Sequence, residues 1–144
     1  MSKNGNADIV LKTILSGVMA IFVGIAYAAP PGTTQVRPGG NTYNPPTLTV
    51  QGSKVYKGAS TYGTVQYTID KNMIREGATG YGKVIATVDG KGNVHEGYGT
   101  YGPTIATVRD GKIQEGGSGA GLTVGTTDGG NVSGAAGAAF FLRN

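Results

Sequence analysis

A phrase of about nineteen residues returns five times along this chain, and no other feature narrows the possible folds as much. Each of the first four copies holds a tyrosine, usually a glycine after it, a β-like run ending in Thr-Val or a close equivalent, and a turn. One aliphatic residue follows, then a charge and a glycine; the fifth copy has Ala120 at the tyrosine position and lacks the charge. The copies cover residues 39–57, 58–76, 77–96 and 97–115, with a degenerate fifth at 116–133. A unit this short cannot bury an apolar face by itself, so neighbours must share one core. Any site then recurs in rings rather than in one cleft.

Within a copy the pattern predicts one β-hairpin. In the third, Lys83-Val84-Ile85-Ala86-Thr87-Val88 is rich in β-branched residues, Asp89-Gly90-Lys91-Gly92 is turn chemistry, and Asn93-Val94-His95-Glu96 is a short return strand. Asp-Gly between two such runs is a strong hairpin signal. The fourth copy repeats it around Asp110-Gly111. Gln51-Gly52-Ser53 takes the turn in the first copy, and Asp128-Gly129-Gly130 takes it in the fifth.

Aligned columns then assign faces. Leu48, Tyr67, Ala86, Ala106 and Gly125 form one column, and Val50, Ile69, Val88, Val108 and Thr127 another two residues on. With the return-strand column Val55, Ile74, Val94, Ile113 and Val132, they form the expected core, because strand side chains alternate between faces. Thr49, Thr68, Thr87, Thr107 and Thr126 lie between the first two columns and point to the opposite face.

Two arrangements share such a core: hairpins placed radially as a shallow closed barrel, or a linear β-solenoid. The tail favours closure. Residues 134–144 read as a partial sixth copy whose apolar strand, ending in Phe140-Phe141-Leu142, pairs the last edge. The expected fold class is therefore all-β, with five hairpins arranged radially and an amino-terminal signal helix.

At this point the repeat resembles the β-flower proteins, small bacterial domains with hairpin petals about a central axis. The matching pattern is Gly-x-x-aliphatic-small-x-aliphatic, a polar turn, an aliphatic residue and another glycine. It runs from Gly82 to Val88 with Val94 and Gly97, and from Gly102 to Val108 with Ile113 and Gly116. The resemblance covers the chain from about residue 40 onward and implies a five-fold member, a ring with a narrow central channel. It implies no agreed activity and brings no catalytic residues.

Upstream of the repeats, Lys3 and Lys12 precede an uncharged apolar run at 14–27. This leads into Ala26-Tyr27-Ala28 and then Pro30-Pro31, the pattern of a secretory signal peptide cleaved after Ala28. Residues 1–28 are read as that signal, 29–38 as a Pro/Gly-rich linker, and 39–144 as the repeat domain. Export places the protein in the periplasm or at the cell surface, touching membrane only through an uncleaved signal segment. The chain has no cysteine, which excludes thiol chemistry, thiolate metal sites and disulfide support. Removing Lys3, Lys12 and Asp8 leaves ten Lys and Arg against seven Asp and Glu. The basic residues are scattered and do not track a phosphate backbone, so nucleic acid is not an expected partner.

Two columns are the candidate ligand-binding residues. The threonines Thr49, Thr68, Thr87, Thr107 and Thr126 offer uncharged donors and acceptors suited to lining a channel or concave surface. The tyrosines Tyr43, Tyr62, Tyr81 and Tyr101 can stack on sugars or other flat ligands, or simply cover the ends of the core. Glu76, Glu96 and Glu115 line up as solvated strand ends that could draw a hard cation, with Lys57 breaking the ring. His95 stands in a column with Tyr56, Arg75, Gln114 and Ser133, so the repeat does not require it, and no hydrolase, metalloprotease or phosphate-loop motif is present. The reading is a non-enzymatic exported module, structural or binding an envelope component or small ligand, with no cofactor and no metal. The alternative is a self-assembling extracellular fibre subunit built by strand addition.

Overall fold

The computed structural model describes residues 29–143. The expected signal segment, 1–28, lies outside them. The elements are β1 (Thr34–Pro38), β2 (Leu48–Gln51), β3 (Lys54–Lys57), β4 (Val65–Asp70), β5 (Met73–Glu76), β6 (Val84–Val88), β7 (Asn93–Glu96), β8 (Thr104–Arg109), β9 (Lys112–Glu115), β10 (Thr123–Thr127) and α1 (Asn131–Leu142). The ten strands are antiparallel to their neighbours and form a closed barrel in sequence order, sealed by β1 against β10. Each strand has two partners, which rules out a linear solenoid. It also leaves no free edge for the strand addition a fibre subunit needs.

Four hairpins follow the sequence pattern, and the junctions between them repeat one another. Lys57, Glu76, Glu96 and Glu115 donate their N–H groups to the carbonyls of Thr64, Lys83, Pro103 and Leu122 at 2.8–2.9 Å. The register shifts beside each of these junctions, as at Val55/Tyr56, Ile74/Arg75 and Val94/His95. A bulge of this kind bends its strand and strengthens local twist, and repeating it curls the sheet until the ends meet.

Closure differs from the expectation in two places. Residues 34–38, expected within a linker, form the missing half of the fifth hairpin. Val36 pairs with Thr127, Arg37 with Thr126 and Pro38 with Gly125, the register in which Val55, Tyr56 and Lys57 pair with Val50, Thr49 and Leu48. Val36 is therefore the fifth member of the Val55, Ile74, Val94 and Ile113 column, and all five are fully buried. Val132 is only half-buried and belongs to α1. Pro38 is tolerated because it ends the strand. A lone apolar residue between Gln35 and Arg37 gives no period-two signal, since both polar neighbours point outward and are nevertheless buried.

The second departure is the tail, a helix and not a closing strand. With β1 on β10 there is no edge left to pair, and a chain entering the barrel must satisfy its own backbone groups. Alanine favours helix most among the residues. α1 packs on β1, β5, β6, β8, β9 and β10, strands on opposite sides of the ring, so it runs inside the barrel. Ser133 through Ala139 are seven consecutive buried residues, the mark of a helix enclosed on every side. Its small residues set how near the wall comes. A side chain at Gly134 would strike Val108, and one at Gly137 would strike Ile113 and Val36. The expected central channel is thus filled by the chain itself, and the described residues enclose no pocket.

Candidate functional site

Alternation of the strands puts two kinds of connection at opposite ends. Tight turns occupy one end, where Lys71 and Asp110 adopt positive φ (59° and 50°). Five longer loops, at 39–47, 58–64, 77–83, 97–103 and 116–122, occupy the other. In four of them the glycine that opens the loop has positive φ (Gly58, Gly77, Gly97, Gly116), and Gly39 repeats this in the fifth. The glycine that follows the tyrosine position is required by a close backbone approach. A Cβ at Gly63, Gly82, Gly102 or Gly121 would overlap the carbonyl oxygen of Lys57, Glu76, Glu96 or Glu115.

The threonine column faces away from the lumen, as alternation requires, yet every member is buried. Each loop folds back over the outer wall and covers it. The Oγ1 atoms of Thr49, Thr68 and Thr87 donate to the carbonyls of Gly58, Gly77 and Gly97 at 2.7–2.8 Å. Thr87 Oγ1 also accepts from Gly99 N at 2.9 Å. Thr107 and Thr126 make no such bond within the described residues. Three of the five hydroxyls thus fasten loops to the wall, and all five lie away from the lumen.

A second outer column ties the same loops to the opposite end of the barrel. Arg75 donates to Asp70 (3.0 Å) and to the Gly82 carbonyl (2.9 Å). His95, which the repeat does not require, takes the same position one repeat on, with Nδ1 3.1 Å from the Gly102 carbonyl and Nε2 3.3 Å from Asp89. Partial burial disfavours the Asp89 carboxylate. Hydrogen bonds from the Asn93 and Lys91 backbone N–H groups, and from the His95 and Asn93 side chains, outweigh it and hold its pKa down at about 2. Gln114 reaches the Gly121 carbonyl more loosely, at 3.4 Å.

The tyrosines stand where the threonines do not. Tyr62, Tyr81 and Tyr101 are essentially fully exposed and Tyr43 more than half so. Tyr98, outside the aligned column and missed by it, is exposed in the same loop as Tyr101. The run Gly97-Tyr98-Gly99-Thr100-Tyr101-Gly102 was its available signal. Leu122 completes the set. These six are the exposed large apolar side chains among the described residues, and all lie at the loop end, at least one per loop. Residues 58–63, 77–82, 97–102, 116–121 and 39–47 contain no charged side chain. Glu76, Glu96 and Glu115 are exposed at the strand ends beneath this crown and, with the other described residues, form no cluster able to hold a metal ion. Inside the mouth, burial pushes the Tyr67 phenol up, while nearby Arg143 draws it partly back.

With no cysteine and no metal-binding cluster among the described residues, the arrangement is consistent with a non-catalytic structural module. No helix among them is long and apolar enough to cross a membrane. No curated protein and no solved structure matches the chain. A family model described as 6-fold beta flower protein matches residues 36–140, a span that begins inside β1 and ends inside α1. This barrel counts five hairpins around its ring rather than six, and on that match over most of its length the chain belongs to the β-flower family.

Proposed function

We propose that this protein is an exported, non-catalytic binding module whose tyrosine-tipped loop crown contacts a component of the cell envelope. One observation carries the reading: the large exposed apolar side chains are segregated to one end of the barrel, on loops that the threonine bonds and glycine contacts hold in place. Scattered surface apolar residues are ordinary in soluble proteins, whereas a set gathered on one face marks an interaction surface. Tyrosine suits that task, because it presents a large, stiff ring with a polar tip at small entropic cost. A barrel filled by its own helix directs binding to the outside. Export rests on the charged, apolar and small-x-small pattern of residues 1–28.

Fractionation of a bacterial host expressing the full chain, with amino-terminal sequencing, tests export. A mature product beginning at Ala29 outside the cytoplasm is the expected result, and an intact Met1 product in the cytoplasm refutes it. Retention on isolated envelopes tests the crown. A quadruple Tyr62, Tyr81, Tyr98, Tyr101→Ser variant with unchanged melting should lose retention, and equal retention would refute the assignment.

A further inference from the structure

We infer that the crown recognises an extended, neutral glycan, with the Tyr98–Tyr101 loop as its strongest contact. This deepens the envelope-binding reading and rests on it. The inference starts from what the loops lack. Across five loops Lys83 is the one charged side chain, and apart from it and Leu122 the loops hold only Gly, Ala, Ser, Thr, Asn, Pro and Tyr. Phosphate-bearing ligands need a cluster of cations, and here the charges are mixed and dispersed: Glu76, Glu96 and Glu115 at strand ends, with Lys57, Lys83 and Lys54, whose Nζ is held by the Ala78 carbonyl. Nucleic acid and anionic lipid therefore meet no cationic cluster. A folded protein partner is anchored by Trp, Tyr and Arg, and of these the exposed crown offers tyrosine alone. What remains is flat aromatic faces bearing hydroxyls, set among small hydroxylated residues. Their complement is a pyranose ring, with an apolar C–H face and a rim of uncharged hydroxyls.

The layout favours a polymer over a single sugar. The barrel has no pocket to enclose a small ligand. Loops recur every second strand, so their bases are roughly 10 Å apart around the ring at ordinary strand spacing. That is close to the length of two linked pyranose units. A chain of sugars can therefore meet successive loops in register, and weak contacts add through effective concentration. Within the ring, residues 97–102 stand out by carrying two exposed tyrosines separated by Gly99 and Thr100. Gly99 N is held by Thr87 Oγ1, the loop base by Thr87 Oγ1 on the Gly97 carbonyl, and its far end by His95 Nδ1 beside the Gly102 carbonyl, so this pair is mounted on a loop tied at three points.

The chain contains eight tyrosines and no tryptophan, so intrinsic emission reports tyrosine directly. The full chain is titrated with the N-acetylglucosamine hexamer, its dimer and cellohexaose, and separately mixed with phosphatidylglycerol vesicles. The expected result is a saturable change with a neutral hexamer, at least fivefold weaker binding of the dimer, and a tenfold loss in Tyr98→Ser/Tyr101→Ser at unchanged melting temperature. No response to either hexamer overturns the glycan assignment, as does binding to the vesicles alone. Equal hexamer affinity in wild type and double variant overturns the role of this loop. If the glycans fail while the crown variant still loses envelope retention, the contact surface stands and only its ligand class falls.

Discussion

The ring of Phe141 occupies the space that a side chain at Gly125 would need. A Cβ there would lie 2.5 Å from Phe141 Cε2 and 2.8 Å from the Arg37 carbonyl oxygen. Gly125 is the smallest member of a column that holds Leu48 and Tyr67 on the side of the ring that α1 does not favour, and Ala86 and Ala106 where it packs. The column is thus graded to seat an off-centre helix. Gly125→Ala should cost about 1–3 kcal/mol by overpacking, read from urea denaturation, and Phe141→Leu should recover part of it. An unchanged midpoint would contradict this seating.

Val36 and Val132 separate the closed hairpin from the one the repeat suggested. Val36→Ala should cost about 2–4 kcal/mol, as buried aliphatic truncations do, because Val36 is fully buried between β10, β2 and α1. Val132→Ala removes a half-buried side chain and should cost clearly less. The reverse order in denaturant midpoints would place the fifth return strand after β10.

Two glycines in one loop should behave oppositely. Gly80 meets nothing within 4 Å and does not take positive φ, so Gly80→Ala should stay within about 0.5 kcal/mol of wild type. At Gly82 the new Cβ overlaps the Glu76 carbonyl, a backbone atom that cannot swing away. Gly82→Ala should lower the melting temperature measurably and loosen Tyr81, seen as faster amide exchange across residues 77–83.

Replacing threonine by valine distinguishes latched from unlatched repeats. Thr87→Val strands the Gly97 carbonyl and the Gly99 N–H, a loss of about 1–3 kcal/mol. Thr107→Val removes a buried hydroxyl without a partner among the described residues and should be neutral or stabilising. Thermal melts of the two variants side by side check the difference.

Asp89 makes stability depend on acid pH. Its carboxyl falls from 3.8 in an unfolded chain to about 2 in the barrel, so the folded state binds its proton more weakly. The resulting stabilisation is complete above the unfolded value and is lost as pH falls through about 2. Urea unfolding from pH 5 to pH 2 should show the gap between wild type and Asp89→Asn narrowing across that window. A constant gap would mean that the hydrogen bonds to Asp89 do not discriminate its charged form.

Much of the architecture is legible in the chain. Period-two alternation and recurring turn residues locate nine of the ten strands and the three lumen-facing columns on the β2–β9 hairpins. The candidate site is half legible. The tyrosine column is visible as a repeat, but exposure is not, and Tyr98 falls outside the alignment because the third-to-fourth junction carries it at a different offset. The threonines are visible as the most uniform column, yet uniformity alone does not tell a lining group from a latch. His95 looks incidental until it is seen, like Arg75 one repeat earlier, to bridge a turn aspartate to the next loop.

By itself, then, the sequence determined a set of identical hairpins that must share one core, because nineteen residues cannot bury an apolar face alone. Only the tertiary structure decided how the set ends. Pairing of β1 with β10 depends on contacts nearly a hundred residues apart, which no local period encodes. Helix in place of strand at 131–142 follows from enclosure, since a segment inside a sealed barrel has no neighbouring edge and must hydrogen-bond to itself. That same filling closes the lumen and leaves the loop crown as the face on which function is sought.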